Sequence, residues 1–395
     1  MRVAEFSDSF LPIVDGVGTV VYHYVTQMAQ KGHRTYAVAP MDAMGFRGGY
    51  PFEILDYKSF PVPGMKNYRM GTPALDAHFK RRLRAVELDI VHVHSPFIAG
   101  HVGLRCARRR HIPIVGTFHS KYYDDFLQKT GSKAIARAGA KYVADFYSGC
   151  DEVWAVTKSS AETFREYGYK KEIFVMPNGT DVRPLPASAV EAASRRFELG
   201  PEPVLLFVGQ MNWKKNIRLT LEVAARLQEA GRSFQLVLAG QGPHKDEILM
   251  TARQLGLTNR LVYVGHVSDP ELLDGLYARA ALFCFPSIYD NGPLVVREAA
   301  AMGTPSVTVR GSSAAEGIED GVNGYLCEND VEDMLRVVDA ALADPESLAA
   351  VGRKARETIP VPWSRLVDTV LERYQRLIDA RNANPVTGHR LYNGW

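Results

Sequence analysis

CFPSIYDNGPLVVREAAAMGTPSV, residues 284–307, is the passage that decides the fold. It reads as a short apolar strand ending at Pro286, a polar loop, a helix from Pro293 and a second strand beginning at Pro305. Proline suits the first position of a helix, where its missing N–H has no intrahelical partner. The free amides of that helix would face the loop and could hold a negative phosphate or a sugar hydroxyl. Asp290 lies in the loop and Glu298 about a turn and a half into the helix, so both carboxylates can enter one crevice at different depths. A carboxylate accepts two hydrogen bonds from a vicinal diol. The plain alternative is that Glu298 faces solvent beside Arg297.

Working outward, strand-like runs alternate with helical patterns along almost the whole chain, which predicts parallel sheets with crossover helices. Strands are expected at Arg2–Phe6, Thr35–Ala39, Ile90–His94, Ile114–Thr117, Glu152–Ala155 and Ile173–Met176, then afresh from Val204–Gly209. At 395 residues two domains are the natural prior. Residues 1–183 form the first, a Rossmann-like domain. Residues 184–203 read as a linker because they hold Pro184, Pro186, Gly200, Pro201 and Pro203. Residues 204–362 form the second, also Rossmann-like. The remaining 363–395 are an amphipathic helix expected to pack back towards the first domain, with a tail. Each doubly wound unit should carry its ligand crevice at the carboxyl ends of its strands.

Four scattered cysteines form no paired motif, which predicts neither disulfide nor metal and favours a reducing compartment. The start, MRVAEFSDSF, turns polar too early for a signal-peptide core. These features predict a soluble, cytoplasmic protein, able to sit at the inner face of a membrane. Residues 58–141 carry 16 basic residues against 5 acidic, so this half should prefer an anionic partner. Lys80, Arg81, Arg82 and Arg84, on a helix with Leu75, Phe79 and Leu83, could lie on anionic lipid or be a solvated basic face. No aromatic–basic interleaving accompanies the charge, which argues against nucleic acid.

Other corners complete the set. VGQMNWKKNI (208–217) is a second strand–loop–helix corner with Lys214 and Lys215. AGQGP (239–243) has two glycines, but Lys245 stands where a dinucleotide fingerprint needs a third. FLPIVDGVGTV (10–20) places Gly16 at a helix start, and DIVHVHSP (89–96) and GTFHSKYYDDF (116–126) place His94 and His119 after strands.

Together these passages resemble the retaining glycosyltransferases of sequence family 4, strongest over 204–326 and weaker over 40–85, with a pattern like that of bacterial diacylglycerol glucosyltransferases. The resemblance implies a GT-B architecture of two Rossmann-like domains facing across a cleft, and transfer of a hexose from a nucleotide sugar such as UDP-glucose. It implies Glu298 at the ribose, and Asp290 with the Gly292 and Leu294 backbone at the hexose. Lys215 and Lys214 would grip the diphosphate, with Gln210 standing where the family has arginine. Asp290 replaces the usual glutamate, and Pro293 the usual glycine. Gly16, Gly240, Gly242 and Val267 would line the donor site. His119 would contact the transferring sugar, and His94, Asp124 and Asp125 the acceptor. Lys215, His119 and Asp290 are the expected catalytic groups, with no metal and no cofactor, the nucleotide sugar being a substrate. The acceptor is left as a membrane lipid or a soluble sugar or cell-wall precursor. An inert nucleotide-sugar binder is the alternative that Gln210 and Asp290 motivate.

Overall fold

The computed structural model describes residues 1–11, 15–41, 48–62 and 65–384, and divides the chain into two compact units, 1–178 with 363–395, and 179–362. The first unit holds β1 (Arg2–Phe6), β2 (Arg34–Pro40), β3 (Glu53–Tyr57), β4 (Ser59–Val62), β5 (Met65–Gly71), β6 (Ile90–Val93), β7 (Ile114–Phe118), β8 (Glu152–Ala155) and β9 (Phe174–Val175). Seven of these make one sheet in the order β3-β2-β1-β6-β7-β8-β9, parallel throughout, while β4 and β5 pair as an antiparallel hairpin. The order reverses between β1 and β6, and a reversal of this kind opens a crevice beyond the strand ends.

The second unit holds β10 (Val204–Val208), β11 (Gln235–Ala239), β12 (Leu261–Gly265), β13 (Leu282–Cys284), β14 (Ser306–Val309) and β15 (Tyr325–Cys327). They run β12-β11-β10-β13-β14-β15, again parallel, with the reversal between β10 and β13. Central strands such as β6 and β14 are buried along their whole length, as expected when helices cover both faces.

Several expectations need correction. The segment expected as a linker carries the helix Ala187–Arg196, whose Ala189 and Ala193 are buried in the second unit. The helix expected from Pro293 runs Leu294–Ala301, and Pro293 is its N-cap with an extended ψ of 128°. Asp124 and Asp125 sit in the first turn of a separate helix, Tyr122–Thr130, where carboxylates favour the helix dipole whatever else they do. On the basic helix Ala77–Ala85, Phe79 and Leu83 belong to the core and cannot meet lipid. Arg82 also turns inward, donating to the Ile54 carbonyl at 2.6 Å and pairing with Asp56 at 3.3 Å.

The helix Trp363–Ala383 belongs to the first unit. Trp363 stacks on His23 with ring centres 4.5 Å apart, and Arg373 forms a fork on Glu152 at 2.6 and 2.8 Å. No helix among the described residues is long and apolar enough to cross a membrane.

Candidate active site

In the second unit the sequence builds two loops side by side, because β10 and β13 are neighbours and both end at the reversal. After β10, the Asn212 side chain accepts the Lys214 N–H at 3.1 Å and caps a single turn, Trp213–Lys215. Asn216 follows with φ 57°, in the left-handed region. Its side-chain amide donates to the Pro286 carbonyl at 3.1 Å and to Asn329 at 2.8 Å. That amide ties the lysine corner to the loop after β13.

The loop after β13 is held from its far side by Ser313, whose hydroxyl donates to the Asp290 carbonyl and accepts the Gly292 N–H at 3.3 Å. Gly292 has φ 54°, a left-handed conformation that glycine adopts without cost. The structure therefore brings Lys215 and Asp290 together: the ammonium donates to Asp290 Oδ1, with both side chains less than a fifth exposed. Asp290 Oδ2 is buried and has no hydrogen-bond partner among the described residues. A buried carboxylate oxygen without a donor costs about 1–3 kcal/mol, so this loop is arranged at some expense.

Glu298 does not face open solvent. It is half-buried and accepts the Tyr277 hydroxyl at 3.0 Å. Burial pushes its carboxyl above the usual range, the Tyr277 hydrogen bond opposes this, and the nearby Asp274 adds to the rise. Lys214 is placed otherwise, its ammonium 4.4 Å from the centre of the Tyr289 ring. Gln210 is exposed, while Val267 and Leu294 are half-buried.

Gly240 and Gly242 have a packing reason of their own. A Cβ on Gly240, at φ +131°, would lie 1.9 Å from the Gly209 carbonyl oxygen, and one on Gly242 would lie 2.4 Å from that of Met211. These glycines let the two turns touch. Gly16 differs: it opens the helix Gly16–Gln30 after the N-cap Asp15, and an added Cβ there meets nothing within 4 Å.

The first unit places His94 and His119 together at the ends of β6 and β7, with His94 Nδ1 2.9 Å from His119 Nε2. His94 is 1% exposed and its Nε2 lies 2.6 Å from a Glu5 carboxylate oxygen. Both ring nitrogens are thus engaged inside the protein, which leaves His94 no atom for the acceptor contact expected of it. Glu5, His92, Thr117 and Tyr374 complete the cluster, with His92 Nδ1 2.5 Å from the Tyr374 hydroxyl and Nε2 2.7 Å from Thr117. Besides His94 and His119, a charged residue inside the buried strand RVAEF is a sequence signal of this cluster. Tyr374, 369 residues beyond Glu5, gave none.

Glu5, His92 and His94 also have the spacing of a metal-ligating group. Yet the His94–Glu5 separation of 2.6 Å is that of a hydrogen bond. Two ligands of one tetrahedral ion stand about 3.3 Å apart, given bonds near 2.0 Å. The cluster is a hydrogen-bonded network.

The family model described as "Glycosyltransferase Family 4" matches residues 14–183, and that described as "Glycosyl transferases group 1" matches residues 190–358. The chain belongs to the family 4 glycosyltransferases. The transferase is 27% identical over 401 aligned positions to a GDP-mannose-dependent alpha-mannosyltransferase of Corynebacterium glutamicum, covering 98% of this chain and 92% of that one. It is 24% identical to the alpha-monoglucosyldiacylglycerol synthase of Acholeplasma laidlawii, covering 97% and 98%. Sucrose-phosphate synthase from Thermosynechococcus elongatus shares its GT-B fold at a TM-score of 0.80 and 19% identity, over 96% of this chain and 100% of that one.

The buried histidines are expected to make the transferase acid-sensitive. Burial and then the His92 charge hold His94 down at about 4, against a smaller rise from Glu5. Burial, then His94 and His92, hold His119 well below the usual histidine range. A histidine whose folded value is depressed leaves the unfolded chain binding more protons, so its stabilisation is complete above about pH 6.5 and is lost as pH falls towards 4. For His94 alone this is on the order of 3 kcal/mol. Burial also raises Glu5, but the His92 charge and bonds from both histidines outweigh it and bring it to about 2. Its own loss therefore falls mostly below pH 4.5. Hydrogen exchange, corrected for intrinsic rate, should show residues 90–119 losing protection between pH 7 and pH 5 while 204–239 change little. Equal protection at both pH values would contradict the assignment.

Proposed function

We propose that the transferase moves a hexose from a nucleoside-diphosphate sugar held by the second unit to an acceptor hydroxyl, with retention and without a metal. The observation that carries this is the Lys215–Asp290 pair with its buried, donor-less Oδ2. A sugar hydroxyl supplies the missing donor, and the ammonium beside it meets the diphosphate. As the glycosidic C–O bond breaks, negative charge grows on the leaving phosphate, and preorganised cations stabilise that charge more than the ground state. Lys215 and the N-terminal amides of the helix Leu294–Ala301 act there, with Lys214 adding charge where Gln210 adds none. The acceptor oxygen forms the new bond on the same face, and the departing phosphate oxygen takes its proton. The Ser313 and Asn216 bonds fix the loop, so that clamping is settled before reaction. On the first unit, His119 takes a substrate hydroxyl. The alpha-transferase names of several relatives support retention, and both glucosyl and mannosyl donors occur among them.

The test is a screen of UDP- and GDP-sugars by thermal shift and nucleotide release. Glu298→Gln should raise the donor KM about tenfold with a smaller change in kcat, as one charge-assisted bond to the ribose is weakened. An unchanged KM would remove Glu298 from the donor site. Nucleotide release at background with every donor would favour an inert binder.

One observation favours a lipid acceptor. Phe60 and Met70 face each other across the β4–β5 hairpin and are 58% and 55% exposed, and the following Leu75 is 80% exposed. Arg81 and Arg84 are exposed on the next helix, with Lys80 half-buried beside them. Apolar side chains within a basic rim suit an anionic bilayer, where each basic residue contributes about 1 kcal/mol. Binding to phosphatidylglycerol vesicles should weaken with salt, and replacing Lys80, Arg81 and Arg84 by glutamine should lower it about 100-fold. Absent or salt-insensitive binding would favour a soluble acceptor.

A further inference from the structure

We propose that Tyr277 is a positioning residue for Glu298: its hydroxyl holds Oε2 and so presents Oε1 to the donor's ribose. The inference rests on the reading of Glu298 as the ribose ligand and adds what sets that carboxylate. Asp274, one turn before Tyr277 on the helix Pro270–Arg279, tunes the same group.

Glu298 lies half-buried in the helix Leu294–Ala301, which packs against Pro270–Arg279. An ionised carboxylate can only accept, so it depends on the donors around it. Among the described residues the Tyr277 hydroxyl, 3.0 Å from Oε2, is the one side-chain donor to it. Oε1 is left for a ligand. Tyr277 itself is fixed from three sides. It is fully buried, its ring meets Phe283 edge-on with centres 5.6 Å apart, and its carbonyl accepts the Thr304 hydroxyl at 2.5 Å. A hydrogen bond to an ionised acceptor is about twice as strong as a neutral one. The fixed phenol therefore sets the carboxylate, rather than the reverse.

The neighbouring charges act with opposite signs. Asp274 is buried and paired with Arg183, whose Nη2 lies 2.9 Å from Oδ1 and 2.8 Å from Oδ2. Arg297, next to Glu298 in sequence, donates instead to the Ile359 carbonyl at 3.1 Å. The helix Pro345–Thr358 meets Leu294–Ala301 through Ala355 against Ala300. Burial is the largest influence on Glu298 and works against its charge, and Asp274 adds to that. The Tyr277 bond and the Arg183 charge favour the ionised form.

The consequence concerns donor binding rather than the chemical step. An ionised carboxylate bonds the hydroxyls of a ribose diol more strongly than a protonated one, and Oε1 has two lone pairs for them. A phenylalanine at 277 would fill the same space and leave Glu298 an acid that holds its proton to higher pH. A tyrosine present only for its ring would make the two side chains equivalent here.

Carbon NMR of protein labelled with 13C at its glutamate carboxyls, without donor, reads the group directly. The Glu298 signal is assigned by its loss in Glu298→Gln. Tyr277→Phe should move the Glu298 titration to higher pH. Asp274→Asn removes a negative neighbour and should move it to lower pH; Arg183, more than half exposed, stays solvated without its partner. General loosening of the helix would move both variants the same way. In calorimetric titrations at pH 7 with the tighter-binding of UDP and GDP, Tyr277→Phe should weaken binding about tenfold, the worth of one hydrogen bond. Its donor KM should rise to match, with kcat changed no more than about twofold. Asp274→Asn should hold its nucleotide affinity to lower pH than the wild type. A Glu298 titration unmoved by Tyr277→Phe, or moved in one direction by both variants, overturns the proposal and makes Tyr277 a core aromatic. So does a Tyr277→Phe protein with unchanged nucleotide affinity where Glu298→Gln has lost it. If both titrations move as stated but Glu298→Gln binds UDP and GDP like the wild type, the Tyr277 bond stands. The ribose contact is then lost, and the proposal falls with that reading.

Discussion

Replacing Lys215 by alanine is expected to lower kcat/KM about 100- to 1,000-fold, the effect of removing one preorganised charge from the developing oxyanion. The ammonium is held at the carboxyl end of β10 by the Asn212-capped turn, and at its tip by Asp290. Gln210 carries no charge, and Lys214, whose ammonium lies 4.4 Å from the centre of the Tyr289 ring, is the other lysine of this corner. The variant also leaves Asp290 half-buried without its cation, which alone should cost about 2 kcal/mol of stability. The two effects separate in a double-mutant cycle with Asp290→Asn. Stability should recover in the double variant, whereas affinity for UDP or GDP should stay low, because it depends on Lys215 and not on its partner. If nucleotide affinity instead follows stability through the cycle, Lys215 is a structural lysine and the diphosphate lies elsewhere.

The architecture was legible because parallel strands buried on both faces are apolar along their length, as VLLFV at 204–208 is. What the sequence hid has three physical causes. Residues 184–203 look like a linker because proline and glycine mark both ends, yet the helix between them packs through alanine. A Cβ at Gly275, on the helix Pro270–Arg279, would lie 2.3 Å from the Ala189 carbonyl oxygen, so the contact is backbone-close and small residues make it. Small-residue packing leaves almost no hydropathy signal. The hairpin β4–β5 went unread because its residues alternate weakly and two of them, Phe60 and Met70, are exposed. Third, the groups that position the candidate site are distant in sequence. Ser313 holds Asp290 from 23 residues away, and Asn216 reaches Asn329 across 113. Motifs place Lys215, Asp290 and Glu298 on their corners, but tertiary hydrogen bonds set where those corners point. The same limit explains His94: its position after a strand suggested a ligand contact, and only its two buried partners show a supporting role.

Ending the chain at Pro362 is expected to unfold the first unit while leaving the second folded. The helix so removed buries Trp363, Leu366, Val367, Val370, Leu371 and Tyr374, none more than 8% exposed. Each such side chain contributes about 1.5–3 kcal/mol of burial, so six amount to on the order of 10 kcal/mol, similar to the whole stability of a typical domain. The loss does not stop at apolar area. Without the Tyr374 hydroxyl, Glu5 and His92 lose a partner each in a fully buried site. Glu152 loses the Arg373 fork, and Asp151 loses Arg381 at 2.7 Å. Leaving a buried carboxylate under-bonded costs more than the bond contributed, which makes the helix part of the first unit's core chemistry. Tyr374→Phe isolates that share: it keeps the ring stacked on Trp154 and should cost only about 1–3 kcal/mol. The truncated chain should show exchange-labile amides over 2–118 and native protection over 204–309. A truncated protein whose first unit melts cooperatively within a few degrees of the full chain would show that the helix is an attachment, and that Glu5 is held by β1 and β6 alone.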